Sequence, residues 1–245
     1  MTELWKQRFQ NWVEIAPEKR STGDIKDEQY FQSVATNVAR FLQLEKNDFL
    51  LDIGADSGLV TRYVAKRVSR VVAVDFVYGQ VRDFKNDRNP GNADFVVADA
   101  TQIPFFSNTF EKVCLYNILH VIPTKELGLD AIKNCIRVCK LGGFVLVGDF
   151  ADADKRRFMW QSIYSSSSKL RKWRLLIGRL LPRWLKRLMK GGGYQAAGDA
   201  FVWHSGRELK EFFEMKGYQV ELKNQLKNLS GSMYRSNLII RKSGG

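Results

Sequence analysis

Residues 49–58 read Phe49-Leu50-Leu51-Asp52-Ile53-Gly54-Ala55-Asp56-Ser57-Gly58. An apolar run interrupted by one acid and ending in glycine is the pattern of a strand buried on both faces. Gly54 and Gly58 let the backbone turn tightly and approach a ligand with no Cβ in the way. A helical pattern follows over Leu59–Val68. Val71-Val72-Ala73-Val74-Asp75 is then a second buried strand, whose closing acid lies 23 residues after Asp52. Strand, glycine turn, helix and strand open a parallel, doubly wound sheet.

The alternation continues outward. Asp94–Asp99 and Lys112–Leu119 read as the third and fourth strands. A helix over Thr124–Cys139 is N-capped by Thr124 and expected to stop at Gly142-Gly143. Phe144–Asp149 is the fifth strand. Ser205-Gly206-Arg207-Glu208 is a capping box that starts a helix ending at Gly217. Gln219–Leu226 and Met233–Lys242 form a closing hairpin, so the last strand enters antiparallel. Upstream, residues 3–15 and Asp27–Leu42 carry helical patterns, and a short helix is expected over Gly79–Asn86. The expected fold is α/β: a Rossmann-like seven-stranded sheet with an antiparallel last strand and a helical cap after the fifth strand. It divides into an N-terminal helical lid (1–44), a core (45–150), a basic amphipathic cap (151–203) and the C-terminal part of the sheet (204–245).

The chain has 245 residues, 44% of them apolar, enough for one domain with a sizeable core. No apolar run approaches the ~20 residues that span a bilayer. Three cysteines and a charged start without an apolar leader point to a reducing, cytoplasmic compartment. The net charge of +13 is local. Lys155–Lys190 holds 12 basic residues and no acid, and the remainder is nearly neutral. A body uniformly built to grip nucleic acid is therefore disfavoured. Leu170, Trp173, Ile177, Leu181, Trp184 and Leu188 fall on one helical face, with Arg183, Lys186 and Arg187 mostly opposite. That is the composition of a helix lying on an anionic membrane, at the inner face in a cytoplasmic protein. It is equally that of a cap whose charges face water.

Ligands of such sheets bind beyond the carboxyl ends of the strands, where this sequence places Asp52, Asp75, Asp99, Asn117 and Asp149. An acid after the second strand suits a ribose diol, and one after the third suits an exocyclic amine. One at the first suits an ammonium group. Together they describe S-adenosylmethionine better than a dinucleotide, and the pattern G-x-G-x-x-G is absent. At this point the chain resembles the class I S-adenosylmethionine-dependent methyltransferases, through LLDIGADSGLVTRYVA, VVAVDF, ADFVVADATQIPF, SNTFEKVCLYNILHVIP and IRVCKLGGFVLVGDF. The fourth-strand region is most similar to the family's small-molecule branch. The resemblance implies S-adenosylmethionine as cofactor. It assigns Asp52, Gly54, Ala55, Asp56 and Gly58 to the loop, Asp75 and Phe76 to the ribose side, Asp99 and Ala100 to adenine, and Asn117 to the methionine tail. Asp56 stands where the family usually has a glycine. Either the loop bends differently there, or Asp56 helps to hold the ammonium.

Methyl transfer from a sulfonium needs alignment and exclusion of water more than a fixed catalytic motif. A base matters when the acceptor must lose a proton. His120 and His204 are the candidates, with Tyr30 and Asp149 behind them. Trp5, Phe9 and Trp12 are candidates for a lid over the sulfonium. Cys135 and Cys139 read as core packing, and Asn117 in place of a carboxylate at the fourth strand argues against a metal. The leading expectation is a methyltransferase for a small-molecule acceptor, lipid-linked or anionic. An RNA methyltransferase using the basic segment and a non-catalytic binding module of the same fold stand as alternatives.

Overall fold

The computed structural model describes residues 27–79, 90–159, 201–229 and 231–243. The first expected helix, its aromatic lid, nearly all of the expected helix over Gly79–Asn86 and most of the basic cap lie outside the described residues.

The described chain runs α1 (Glu28–Leu42), β1 (Phe49–Ile53), α2 (Thr61–Val64), β2 (Arg70–Asp75), β3 (Ala93–Val97), β4 (Phe110–Tyr116), α3 (Lys125–Val138), β5 (Cys139–Ala151), α4 (Gly206–Glu214), β6 (Gln219–Asn224) and β7 (Arg235–Arg241). The strands form one seven-stranded sheet in the order β3-β2-β1-β4-β5-β7-β6. The first five pair in parallel. β7 enters antiparallel between β5 and β6, as the short final connection requires.

Period-two alternation assigns each strand residue to a face. Leu51, Ile53, Val72, Val74, Val113, Leu115, Val145 and Val147 join the layer that includes residues of α3 and α4. Leu50, Val71, Cys114, Leu146 and Ile239 join the layer that includes residues of α1 and α2. α1 is N-capped by Asp27, whose carboxylate accepts from the Tyr30 amide at 2.8 Å. It buries Phe31, Val34, Val38 and Leu42, the face expected from its spacing, with Phe41 only half-buried. All three cysteines are buried and free. Among the described residues no helix is long and apolar enough to cross a membrane.

Some element ends differ from expectation. β3 stops at Val97 rather than Asp99. β4 stops at Tyr116 rather than Leu119 because Asn117 adopts a left-handed φ of 61°, after which Leu119–Val121 is a 3-10 turn. The helix expected over Leu59–Val68 is one α turn followed by a 3-10 turn at Ala65–Arg67. α3 runs to Val138, within one residue of the expected end at Cys139, but β5 starts earlier than the expected Phe144. Cys139 turns to extended backbone (φ −71°, ψ 139°) and β5 begins there. Ser205 caps α4 by accepting from the Glu208 amide at 3.1 Å.

The chain leaves the described core after Met159 and returns at Phe201. Both ends are pinned beside the carboxyl edge of the sheet. The Val202 amide donates to the His120 carbonyl at 2.9 Å, and the Ala153 amide to the His204 carbonyl at 2.9 Å. The described residues that flank the basic segment, Ala153 and Val202, are therefore set next to the ends of β5 and β4.

Candidate active site

Two cavities open at the carboxyl edge of the sheet. The first, of about 180 Å³, runs from Asp75, Phe76, Asp99 and Ala100 to His120 and Phe201. The second, of about 110 Å³, lies between α1 and the loop after β1, with Tyr30, Phe31, Asp52, Ala55 and Asp149 on its walls. Gly54, Asp56, Tyr116 and Asn117 belong to both, so the cavities adjoin where β1 and β4 end.

The loop after β1 is shaped by its glycines. Gly54 and Gly58 have φ of 75° and 73°, the region glycine enters without a steric penalty. A Cβ on Gly54 would also come within 2.2 Å of the Ile118 side chain. Asp56 has φ 50°, a conformation that aspartate tolerates better than most residues. Its Oδ1 accepts from the Ser57 amide at 2.6 Å, so the residue in the glycine position closes its own turn.

Asp52 and Asp75 are buried and form no ion pair among the described residues. The Thr61 hydroxyl donates to Asp52 at 2.6 Å. Burial outweighs that bond and raises the Asp52 carboxyl to about 6. Asp75 accepts from the amides of Val77 and Asp56, each at 2.9 Å. Burial, with the nearby charge of Asp56, raises it to about 6 as well. Two buried carboxylates with spare lone pairs and no cation suit a ligand that brings its own donors and positive charge. Asp99 accepts through Oδ1 from the Thr101 amide and hydroxyl, both at 2.8 Å, which fixes its carboxylate. These donor needs match a ribose diol, an exocyclic amine and an ammonium group, so the residues fit S-adenosylmethionine.

The structure gathers the expected residues unevenly. Asp52, Gly54, Ala55, Asp56, Asp75, Phe76, Asp99, Ala100 and Asn117 all line one cavity or both. Gly58 stands one turn back, its amide donating to the Ala55 carbonyl at 2.9 Å. His120 is buried on the wall of the first cavity, edge-on to Phe201 at 4.5 Å between ring centroids, with Nδ1 lacking a partner among the described residues. Burial, together with the charge of Arg235, holds its imidazole well below the usual histidine range. His204 lines neither cavity. Its ring lies against Gly128, where a Cβ would come within 2.7 Å of Cε1. Burial lowers it to about 4.

Sequence reasoning missed Arg235 and Gln225. Arg235 Nη1 donates to Asn117 Oδ1 at 2.6 Å and to Asp149 Oδ2 at 2.8 Å, forming a buried ion pair. Asp149 holds a left-handed φ of 54°. Gln225 Nε2 donates to Asp149 Oδ1 at 2.7 Å and to the Tyr116 hydroxyl at 2.8 Å. The one local signal is the polar triplet Arg235-Ser236-Asn237, which heads a strand that is otherwise apolar up to Arg241.

The sheet order and the acids at the strand ends are those of the class I S-adenosylmethionine-dependent methyltransferase fold. Residues 51–147 match the family described as methyltransferase domain. The chain is 33% identical over 103 residues to a demethylmenaquinone methyltransferase of Renibacterium salmoninarum, covering 42% of this chain and 41% of that one. It is 33% identical over 109 residues to a ubiquinone/menaquinone biosynthesis C-methyltransferase of Idiomarina loihiensis, covering 42% of each. The matched region thus spans about two fifths of the length of these relatives. In fold, the chain is similar to phosphoethanolamine N-methyltransferase 1 of Haemonchus contortus, solved with phosphoethanolamine and S-adenosylhomocysteine. The TM-score is 0.69 at 11% identity, over 100% of this chain and 50% of that one. It is also similar to magnesium protoporphyrin IX methyltransferase of Synechocystis with bound S-adenosylhomocysteine. Here the TM-score is 0.63 at 15% identity, over 97% of this chain and 100% of that one.

Proposed function

We propose that the chain transfers a methyl group from S-adenosylmethionine to a small-molecule acceptor, one that is lipid-linked or anionic. The observation that carries this reading is the junction of the two cavities at Gly54, Asp56, Tyr116 and Asn117. Bound S-adenosylmethionine supplies a methyl group already activated on a sulfonium. The chain's own part is to hold, orient and keep dry. Asp75 and Asp99 take the adenosine end, Asp52 faces the ammonium, and the apolar walls at Phe31, Val34 and Leu59 exclude water. Of the candidate groups for handling a proton, Tyr30, Asp149 and His120 line the cavities and His204 does not.

The names of the similar proteins support a small ring-bearing acceptor on a lipid tail. The placement of the flanking residues, with Phe201 on the wall of the first cavity, supports a cap that receives such an acceptor. The decisive assay incubates the protein with S-adenosylmethionine and a short-chain demethylmenaquinol, and follows a methylated product by mass spectrometry. Product that needs both reactants is expected. No product from this or any other small acceptor in a panel, with the cofactor bound, would contradict the reading. Co-sedimentation tests the cap: anionic vesicles should bind the protein at low salt and release it at high salt. Indifference to anionic vesicles at low salt would leave the cap as a cover for a water-borne acceptor.

A further inference from the structure

Tyr116 is the last residue of β4, and a specific recess holds its ring. Its register partner on β5 is Gly148. A Cβ at Gly148 would come within 2.3 Å of Tyr116 Cδ2, so the ring rests on bare backbone. The hydroxyl is held by Gln225, whose amide can point only one way. Gln225 Oε1 accepts from Asn37 Nδ2 at 3.2 Å, from Asn237 Nδ2 at 3.4 Å and from the Leu226 amide at 3.0 Å. Nε2 must therefore face the site, and its two hydrogens go to Asp149 Oδ1 and the Tyr116 oxygen. The phenol oxygen is an acceptor in that bond, which leaves its own hydrogen uncommitted. Burial, reinforced by the Asp149 charge, pushes the phenol well above its usual range, so it keeps that hydrogen. Receiving a bond from Gln225 also polarises the O–H and makes it a better donor. Tyr116 walls both cavities at their junction.

We infer that the Tyr116 hydroxyl donates a hydrogen bond to an oxygen of the methyl acceptor. The inference rests on the methyltransferase reading above. Tyr116 is thus a substrate-binding residue that selects for an acceptor oxygen at the junction of the two cavities.

The test is calorimetry on protein saturated with S-adenosylhomocysteine, using two probes of one shape. 1-Naphthol offers an oxygen, and 1-methylnaphthalene does not. Tyr116→Phe keeps the ring on Gly148 and deletes only the hydroxyl. It should weaken 1-naphthol about three- to tenfold. Binding of 1-methylnaphthalene and S-adenosylhomocysteine should change less than about twofold, within the additivity expected of independent contacts. Gly148→Ala, which displaces the ring, should reproduce the selective loss. Unchanged 1-naphthol affinity, or equal loss of both probes, would overturn the inference. Wild-type protein that holds S-adenosylhomocysteine but takes neither probe would overturn it while leaving the cofactor site intact. Failure to hold S-adenosylhomocysteine would instead bring down the methyltransferase reading itself.

Discussion

The backbone amide of Asp56 donates to the Asp75 carboxylate at 2.9 Å. The turn after β1 is thereby tied to the acid that ends β2, so the ribose end and the methionine end of the site are positioned as one unit. Asp56 keeps a left-handed backbone at this joint and its side chain bonds the next amide. An aspartate can therefore occupy the loop without opening it.

Asp52 should trade stability for ligand binding. Its folded value of about 6 lies above the ordinary aspartate value of 3.8 because burial opposes the charge. Its favourable contribution is full below about pH 4 and is lost as pH rises through 6. Asp52→Asn removes that loss while keeping an oxygen for the Thr61 hydroxyl. In urea denaturation of the ligand-free protein the variant should be roughly 1–3 kcal/mol more stable than wild type at pH 7.5. The advantage should fade below pH 5, and cofactor affinity should fall at pH 7.5. A variant less stable than wild type at pH 7.5 would contradict this account.

The two histidines should stay neutral through the physiological range. Burial lowers both, His204 to about 4 and His120 well below 6.5. Their imidazole proton resonances should therefore not titrate between pH 8 and 5.5. An acidic limb near pH 6 in turnover would then belong to Asp52 and Asp75, which must be ionised to bind the cofactor. A histidine midpoint near 6.5 would show that the pocket around His120 is wetter than its contacts imply.

The sequence exposed the sheet because β1, β2 and β5 contain continuous apolar runs, and continuity survives any error in their ends. It misplaced the end of β4 because Ile118 and Leu119 carry the apolar pattern past Asn117. Only a backbone angle, invisible in composition, stops the strand there. Gly142-Gly143 suggested that β5 would begin only at Phe144, yet Cys139 already turns extended and pairs with Phe110. The cofactor acids were legible because each lies within two residues of a strand end, inside a local motif. Arg235 was not, since it lies 118 positions from Asn117 and nothing local marks the pairing. Asn37 and Gln225, 188 positions apart, meet only because α1 packs over the sheet.

The ion pair of Arg235 and Asp149 should be costly to break from one side. Both side chains are over nine-tenths buried, so Asp149→Asn leaves a guanidinium without its counter-charge. Asparagine tolerates the left-handed backbone at this position, which isolates the electrostatic effect. The expected cost is about 3 kcal/mol or more in urea denaturation, partly recovered when Arg235→Met is added. A single variant as stable as wild type would mean that water already reaches this pair.

The central claim is that the first cavity holds the adenosine of S-adenosylmethionine against Asp75 and Asp99. Calorimetric titration of S-adenosylmethionine into wild type, Asp75→Ala and Asp99→Ala tests it most directly. Losing a charge-assisted hydrogen bond at either acid should cost roughly 1.5–3 kcal/mol, about ten- to hundredfold in affinity. Tight binding by wild type and this loss in both variants is the predicted result. Equal affinity in all three proteins, or no binding by wild type, would contradict it.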